Sequence, residues 1–597
     1  MLLDWRGSDR ERRVYRQLFR MFAAAKRPDT LLLHAPGGEL CGLERLTGIR
    51  TLQATSLLDR AADLALDDWV QERVEGLLAS PARELFPRHH GVHLGDLNRL
   101  IFEIDFLNLG MLNTAMRLVE AETPAQTQWT LLGHETHLLF AAETEARRIG
   151  RVARAWPPRA VAAIRDSQAA HPAHTRVEPV QHVWRVPRAE VLTVSWTRPI
   201  HEMFAAVEQE LPAFGATPAV RVHFGDALPP EQQAPGVTVV TAPAPESFGR
   251  LAFPAISESV GELSGPAFDV DNGRFVRHRI EVVRRNAGRQ MAFIEAVSRL
   301  LDAVQPRVVA VGNDRWWVGQ AVVRLAQLRG IPTLCLQDGV GSEAVVWRWL
   351  AADKLLANGV QLRDLLIRHG IPEHRVIAAG QPRYDRLPAF AGPEVTRRMR
   401  AQLRLPADRQ HVLYTTQYDQ DHGFVEGIVR ACMETPNVHL MLRPHPSESS
   451  AFHEGLVRAH PDRIRLCRDE RIETLVAACD VLIAKSSTTT LEAAVLGKQV
   501  IIVHDHGSRV LPHTEALKPM LLQTAAELPG ALRAVADGSF ALDAETARAA
   551  FEYYCGPYDG KSSARVAEQF ALALEQSAPA MAQRGSRDGD AFPPSTT

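Results

Sequence analysis

Lysine is scarce in this chain. Of its 68 basic residues only six are Lys, so nearly all positive charge is carried by Arg. Cysteine is scarce as well. Cys41, Cys335, Cys432, Cys467, Cys479 and Cys555 are scattered, with no C-x-x-C pair. That argues against a disulfide framework and a thiolate zinc site, and reduced buried thiols are expected. No apolar run reaches the roughly 18 residues that a membrane-spanning helix needs. The N-terminus meets charge at Asp4 and has no apolar region of the kind a signal peptide carries. A cytoplasmic location is expected, with any membrane contact peripheral. An excess of one charge is also missing: 68 basic against 70 acidic residues leave a formal net charge of −2. No global basic field points to nucleic acid or to an anionic membrane. Metal signals are weak. Asp269-Val-Asp271 and Asp419-Gln-Asp421 are Asp-x-Asp spellings in loop-like contexts, frequent by chance, and no metal is expected.

What the chain does have is room and regularity. Its 597 residues, 46% hydrophobic and 23% charged, suit a soluble globular protein of several domains. From about 350 to 575, short apolar runs alternate with amphipathic segments. Strands are expected at 354–357, 376–379, 411–414, 438–442, 463–466, 481–484 and 500–503. A second such unit spans 188–349, with strands at 191–195, 220–224, 237–240, 307–312 and 333–336 and helices at 200–211 and 318–329. Alternation at this spacing implies parallel sheets wrapped by helices. The fold class read from it is α/β, with two tandem Rossmann-like domains and a cleft between them. Residues 1–180 form an additional N-terminal region. A strand at 30–34, a helix at 97–120 and the order strand 130–134, helix 138–149, strand 151–155 fit a degenerate third α/β unit. They fit a generic strand–helix–strand equally. The Pro-rich stretch 156–188 reads as a linker, and 576–597 as a disordered tail.

Two stretches concentrate polar chemistry at strand ends. Arg443-Pro444-His445-Pro446 follows the apolar run 438–442. Arg offers a planar donor fork for phosphate, and His a second donor or a proton source. Lys485-Ser486-Ser487-Thr488-Thr489-Thr490-Leu491-Glu492 follows 480–484 and runs into a helix closed by Gly497. Hydroxyl residues opening a helix suit an anion, because the first backbone N–H groups are unpaired and the helix dipole favours negative charge. Ordinary N-capping by Ser and Thr is the competing reading, with Glu492 compensating the dipole. In α/β sheets, ligands bind at the C-terminal ends of strands. Lys485, Lys498 and Lys561, half of all the lysines, fall in the motif stretches.

The ordered set Gly380-Gln-Pro-Arg-Tyr-Asp385, Leu413-Tyr-Thr-Thr-Gln417, Arg443-Pro-His-Pro446, Asp480-Val-Leu-Ile-Ala-Lys-Ser-Ser487, Leu496-Gly-Lys498 and Asp559-Gly-Lys-Ser-Ser-Ala-Arg565 resembles the donor domain of GT-B glycosyltransferases. More narrowly it resembles the surface-polysaccharide group: CDP-glycerol glycerophosphotransferases, capsule Kdo transferases and polysialyltransferases. The resemblance covers about 190–570. It implies a donor domain at 350–575 facing an acceptor-side domain at 188–349. It implies that Arg443, His445, Ser486, Ser487, Thr488 and Glu492 hold the donor nucleotide, with Thr415, Thr416 and Gln417 along its diphosphate. His445 is also a candidate catalytic group. The donor would be CMP-, CDP- or UDP-linked, and the acceptor a glycan or lipid-linked glycan. No cofactor would be required, because helix dipoles and basic side chains stabilise the leaving nucleotide.

The catalytic base is expected from the facing domain. Leu336-Gln-Asp-Gly339 ends a strand there. Relatives often carry Gln-His-Gly at this point, so Asp338 departs from the pattern. A carboxylate can take an acceptor proton if geometry and pKa suit, and a turn-forming Asp before Gly is the plain alternative. His201, Asp314 and Glu343 are further base candidates, and Arg198 is a candidate for acceptor or phosphate. The leading expectation is a transferase moving a sugar or glycerol phosphate from a nucleotide donor to a surface glycan. A UDP-N-acetylglucosamine 2-epimerase-like isomerase and a non-catalytic GT-B-shaped binding protein are the alternatives.

Overall fold

The computed structural model describes residues 183–226, 234–249, 251 and 273–585, apart from gaps at 342–343, 418–421, 446–447, 449, 486 and 505–510. It also describes most of 60–122 and, in the rest of the first 156 residues, chiefly the strands of one sheet. Most of the expected linker and of the expected helix 138–149, both Asp-x-Asp spellings, Glu343, Ser486 and Cys41 lie outside the described residues.

Three parallel sheets follow one another along the chain. The first has strands β1 (Leu2–Leu3), β2 (Leu31–His34) and β3 (Arg50–Gln53). Helix α1 (Arg60–Ala79), the short hairpin β4 (Arg88–His89) and β5 (Val92–His93), and helix α2 (Arg99–Glu122) intervene. Strands β6 (Trp129–Leu132) and β7 (Ala153–Trp156) then complete it in the order β3-β2-β1-β6-β7. This is a five-stranded parallel sheet that runs outward from β1 and then back past it, which is more than an isolated strand–helix–strand.

The second sheet contains β8 (Val191–Ser195), β9 (Ala219–Phe224), β10 (Val237–Ala242), β11 (Val308–Val311), β12 (Thr333–Leu336), β13 (Lys354–Ala357) and β14 (Val376–Ala378). Their order is β10-β9-β8-β11-β12-β13-β14. The helices that matter below are α3 (Arg198–Glu210), the long α4 (Gly273–Val304) and α5 (Trp317–Leu328). The third sheet contains β15 (Gln410–Thr415), β16 (Val438–Arg443), β17 (Ile464–Leu466), β18 (Val481–Ala484), β19 (Gln499–Val503) and β20 (Met520–Leu522). Their order is β17-β16-β15-β18-β19-β20. Each sheet is wound outward from its first strand and then back past it. That topology leaves a crevice at the C-terminal edge where the direction reverses. Here the reversals fall between β8 and β11 and between β15 and β18.

The central strands are apolar on both faces because helices cover both faces. Every residue of β8, β11, β12 and β18 is buried, as expected for Val/Ile/Leu runs in parallel sheets. Five Cys, Cys335, Cys432, Cys467, Cys479 and Cys555, are free and buried.

Two expected boundaries move. Strands β13 and β14 hydrogen-bond into the second sheet, with Leu355 opposite Val376 and Leu334 opposite Lys354. The division expected at 349/350 therefore falls inside that sheet. The final helix α9 (Ser562–Gly585) also runs beyond the expected tail boundary at 576. Its Val566, Phe570 and Leu574 are buried against Val191, Ile200 and Phe204 of the second unit. Arg307 fastens it, donating to the Leu574 carbonyl at 2.7 Å and the Ser577 hydroxyl at 3.2 Å. Helix α9 thus leaves the third unit and packs on the second.

Candidate functional site

A cleft of about 750 Å³ opens where the C-terminal edges of the second and third sheets face each other. The turn after β8 supplies Thr197, and the start of α3 supplies Arg198, Pro199 and Glu202. Opposite lie Thr415 and Thr416 at the end of β15, and Arg443, Pro444 and His445 at the end of β16. Ser487, Thr488, Thr489 and Glu492 follow β18, where helix α8 (Thr489–Val495) begins. Helix α7 (Ile472–Ala478), with the turn before it, contributes 470–473. Of the residues expected to hold the donor, the structure brings Arg443, His445, Ser487, Thr488, Glu492 and Thr416 to one lining. Gln417 is not part of that lining.

Local bonding shows what each group is doing. The Ser487 hydroxyl accepts from the Thr489 N–H at 3.3 Å, and its carbonyl accepts from the Thr490 hydroxyl at 2.6 Å. The serine loop is therefore pre-shaped by its own caps, with the start of α8 directed at the cleft. The His445 N–H donates to Glu448 at 2.7 Å and to the Thr416 hydroxyl at 3.2 Å. Thr416 also donates to Glu448. One carboxylate thus ties the loop after β15 to the loop after β16. Arg443 donates to the carbonyls of Cys467, at 3.2 Å, and Arg468. Its guanidinium secures the end of β17 as well as lining the cleft, and burial holds its pKa below the ordinary Arg value.

Glu492 is buried, with 2% of its surface exposed. Burial raises its pKa from 4.5 to about 7, against the opposing pull of Arg383. Arg383 stands 3.6 Å away and donates to the Tyr384 hydroxyl at 3.2 Å. Arg386 pairs with Glu473 at 2.7 Å and reaches Glu202 at 3.8 Å, so one guanidinium links the two walls. The lining holds five arginines and six carboxylates. Any anion preference must therefore come from directed donors and not from net charge. Arg383, Arg386, Glu202, Glu448 and Glu473 were missed in the sequence. Arg383 and Arg386 sit in or beside the Gly380–Asp385 motif, which is the signal that could have found Arg383.

The base candidates separate. Asp338, at the end of β12, lies outside the cleft lining. It accepts from Asn313 Nδ2 at 2.8 Å and Arg315 at 3.3 Å. Arg315 in turn stacks 3.7 Å over the Trp347 ring. The loop carrying Asp338 is held by its neighbours: Gln337 accepts from the Asn358 N–H at 2.8 Å, and Gln381 donates to the Gln337 carbonyl at 3.0 Å. Asp314 does not suit the expected role. It is fully buried and accepts the N–H groups of Ala351 and Ala352 at 2.7 and 2.8 Å. His201 does not suit it either. It is buried, and burial, Arg221 and His223 push its pKa down to about 3. It packs edge-on against His223 at 5.3 Å as a neutral core imidazole.

The lysines do not converge on the cleft. Lys498 is buried and donates to Thr396 at 2.9 Å and to the Ala477 carbonyl at 2.8 Å, which joins helix α6 (Pro393–Gln402) to α7. Lys561 is exposed. Lys485 is buried at the end of β18, outside the lining.

With this geometry established, residues 367–571 match the family of CDP-glycerol:poly(glycerophosphate) glycerophosphotransferases. The match covers about a third of the chain, and it says what that segment is similar to. No curated protein is similar enough to match. Among solved structures, UDP-GlcNAc 2-epimerase from Neisseria meningitidis is 15% identical, covering 64% of this chain and 99% of its own, with a TM-score of 0.44. The wall teichoic acid polymerase TagF is 11% identical, covering 65% of this chain and 89% of its own, with a TM-score of 0.41. Likenesses at this level carry no assignment of substrate.

Proposed function

We propose that this chain transfers glycerol phosphate, or a sugar, from a CDP-type nucleotide donor to a surface-polysaccharide acceptor. One observation carries the reading. The strand-end loops that line the cleft on its donor side lie within the matched segment, at the reversal point of its sheet. In this reading the start of α8 with Ser486, Ser487 and Thr488 receives the diphosphate. Thr416, Arg443 and His445 flank it, and Glu492 holds the ribose diol. His445 or Arg383 neutralises the leaving nucleotide. Asp338, aimed by Asn313, takes the acceptor hydroxyl proton as that oxygen attacks the donor carbon or phosphorus. Glu202 and Arg386 hold the two walls in register.

The proposed setting is capsule or cell-wall polymer synthesis at the cytoplasmic face, with peripheral membrane contact. Among the described residues no helix is long and apolar enough to cross a membrane. The deciding experiment is calorimetry with CMP, CDP, UDP and GDP, followed by transfer assays with donors of the nucleotide that binds. Saturable CDP binding weakened by Ser487→Ala and Thr488→Ala supports the reading. No binding of any of the four nucleotides overturns it.

A further inference from the structure

Away from the cleft, two imidazoles and a carboxylate converge. The hairpin of β4 and β5 pairs Arg88 with His93 and His89 with Val92, leaving His90-Gly91 as a two-residue turn. Both turn residues have positive φ, 48° at His90 and 79° at Gly91. Such turns favour Asn or Gly at the first position. A His there has no advantage for the turn itself. The left-handed backbone instead brings the His90 ring against the His89 ring, with centroids 4.7 Å apart and planes at 84°. Neighbours on a regular strand would point to opposite faces.

Both rings aim Nε2 at the same atom. Glu295 Oε2, on α4, lies 2.6 Å from His90 Nε2 and 3.4 Å from His89 Nε2. The His89 nitrogen is buried from solvent yet has no hydrogen-bond partner. Its 3.4 Å from Glu295 fits an ion pair and also fits two ligands around a shared centre, whereas the 2.6 Å His90 contact is a hydrogen bond that a bound ion would replace. A tetrahedral ion bound at about 2.0–2.1 Å sets its ligand atoms roughly 3.3 Å apart. The three ligand atoms all lie within 4.8 Å of one another. The other carboxylate oxygen, Oε1, accepts from Arg299 at 2.8 and 3.1 Å. That bond fixes the rotamer and leaves Oε2 facing the imidazoles, as outer partners of metal ligands do.

We propose that His89, His90 and Glu295 form a binding site for a divalent cation of the zinc class, with an open fourth position for water. Two imidazoles and one carboxylate suit such a borderline ion better than a hard one. None of the three residues lines the cleft. The ion would pin a hairpin of the N-terminal region to α4, residues 205 apart in the chain. The site is independent of the transferase reading.

The test uses the full chain stripped with a chelator and titrated with Co²⁺, then with Zn²⁺. Four-coordinate visible bands should saturate at one equivalent, and Zn²⁺ should displace them. Both signals should be lost in Glu295→Gln, whose amide can still bond His90, and in His89→Gln. Zinc should raise the Tm of the wild type by a few degrees and leave both variants unmoved, with circular dichroism confirming that they fold. Absence of one-equivalent binding in the wild type overturns the proposal. So does equal binding in both variants, or an effect of Glu295→Gln on apo stability alone, which would mark a plain ion pair.

Discussion

Asp385 accepts the backbone N–H of Ser563 at 2.6 Å, across 178 residues of sequence. Its other oxygen accepts from the Ser562 N–H at 2.7 Å. One carboxylate therefore caps helix α9, the helix that returns from the third unit to the second. Gly380, at φ 91°, approaches so closely that a Cβ there would lie 2.3 Å from the Ser562 hydroxyl. Arg565 closes the junction by donating to the Ala379 carbonyl at 2.8 Å and to both oxygens of Asp559. The Gly380–Asp385 and Asp559–Arg565 motifs are thus two halves of one joint between domains.

Asp385→Ala should lower stability by about 1–2 kcal/mol, the range for a lost helix cap. Gly380→Ala should cost at least as much, because both its backbone and its Cβ are disfavoured. Chemical denaturation of the two variants checks this. A stability within a few tenths of wild type for both would show that the joint is not held here.

Glu492 should give the protein a pH signature. Its pKa is raised by burial from 4.5 to about 7, so the folded chain binds this proton more tightly than the unfolded chain. That contribution is fully present below about pH 4.5 and is lost as pH rises to about 7, on the order of 3 kcal/mol in all. Glu103, raised to about 7 by burial against Arg99, acts in the same window. The comparison of wild type with Glu492→Gln isolates the first group. The variant should lose part of the decline in stability between these pH values. If Glu492 binds a ribose diol as a carboxylate, nucleotide affinity should rise with pH through about 7. Glu492→Gln should weaken it by roughly 10- to 100-fold, the value of a charged hydrogen bond, and abolish that pH dependence.

Asp338→Asn should separate chemistry from binding. The amide keeps the shape but cannot take a proton, so transfer should fall by about 10²–10⁴-fold, the usual contribution of a general base. Nucleotide affinity, measured by calorimetry, should stay within about twofold, because Asp338 lies outside the lining of the donor cleft. Unchanged transfer by Asp338→Asn would remove it from the reaction and shift attention to Glu202.

The strands were legible in the sequence because these sheets are covered on both faces. A run such as Val481-Leu-Ile-Ala484 has no polar alternation to confuse it. β20 went unread although β14 and β17, equally short and with one residue buried each, were expected, so neither length nor burial explains the miss. Sheet membership was not legible: the local pattern of β13 and β14 does not encode which neighbour they pair with. The donor loops could be read because polar residues abruptly follow apolar strands. Asp314 and His201 show the same local signature but are buried. Only tertiary packing separates a polar residue that holds a loop from one that faces a cleft. Glu202 and Glu473 sit in ordinary helices, and nothing in their spelling marks them as wall residues.

The last prediction concerns the returning helix. Phe570 is fully buried between α9 and the second sheet, in a cluster with Val191, Phe204 and Leu334. Phe570→Ala should cost about 3–5 kcal/mol, the range for emptying an aromatic site in a packed core. Because α9 begins at the Asp385 cap and is held at Leu574 and Ser577 by Arg307, the cavity should loosen the seating of one unit on the other before either sheet melts. Hydrogen exchange should then show early loss of protection along 562–577 and in α3, with strands β15 and β18 still protected. Nucleotide affinity should fall with it, since Thr197, Arg198 and Glu202 reach the cleft only while the two units stay apposed. Uniform loss of protection across all three sheets would show that the chain unfolds as one block and that α9 is not a separable strap.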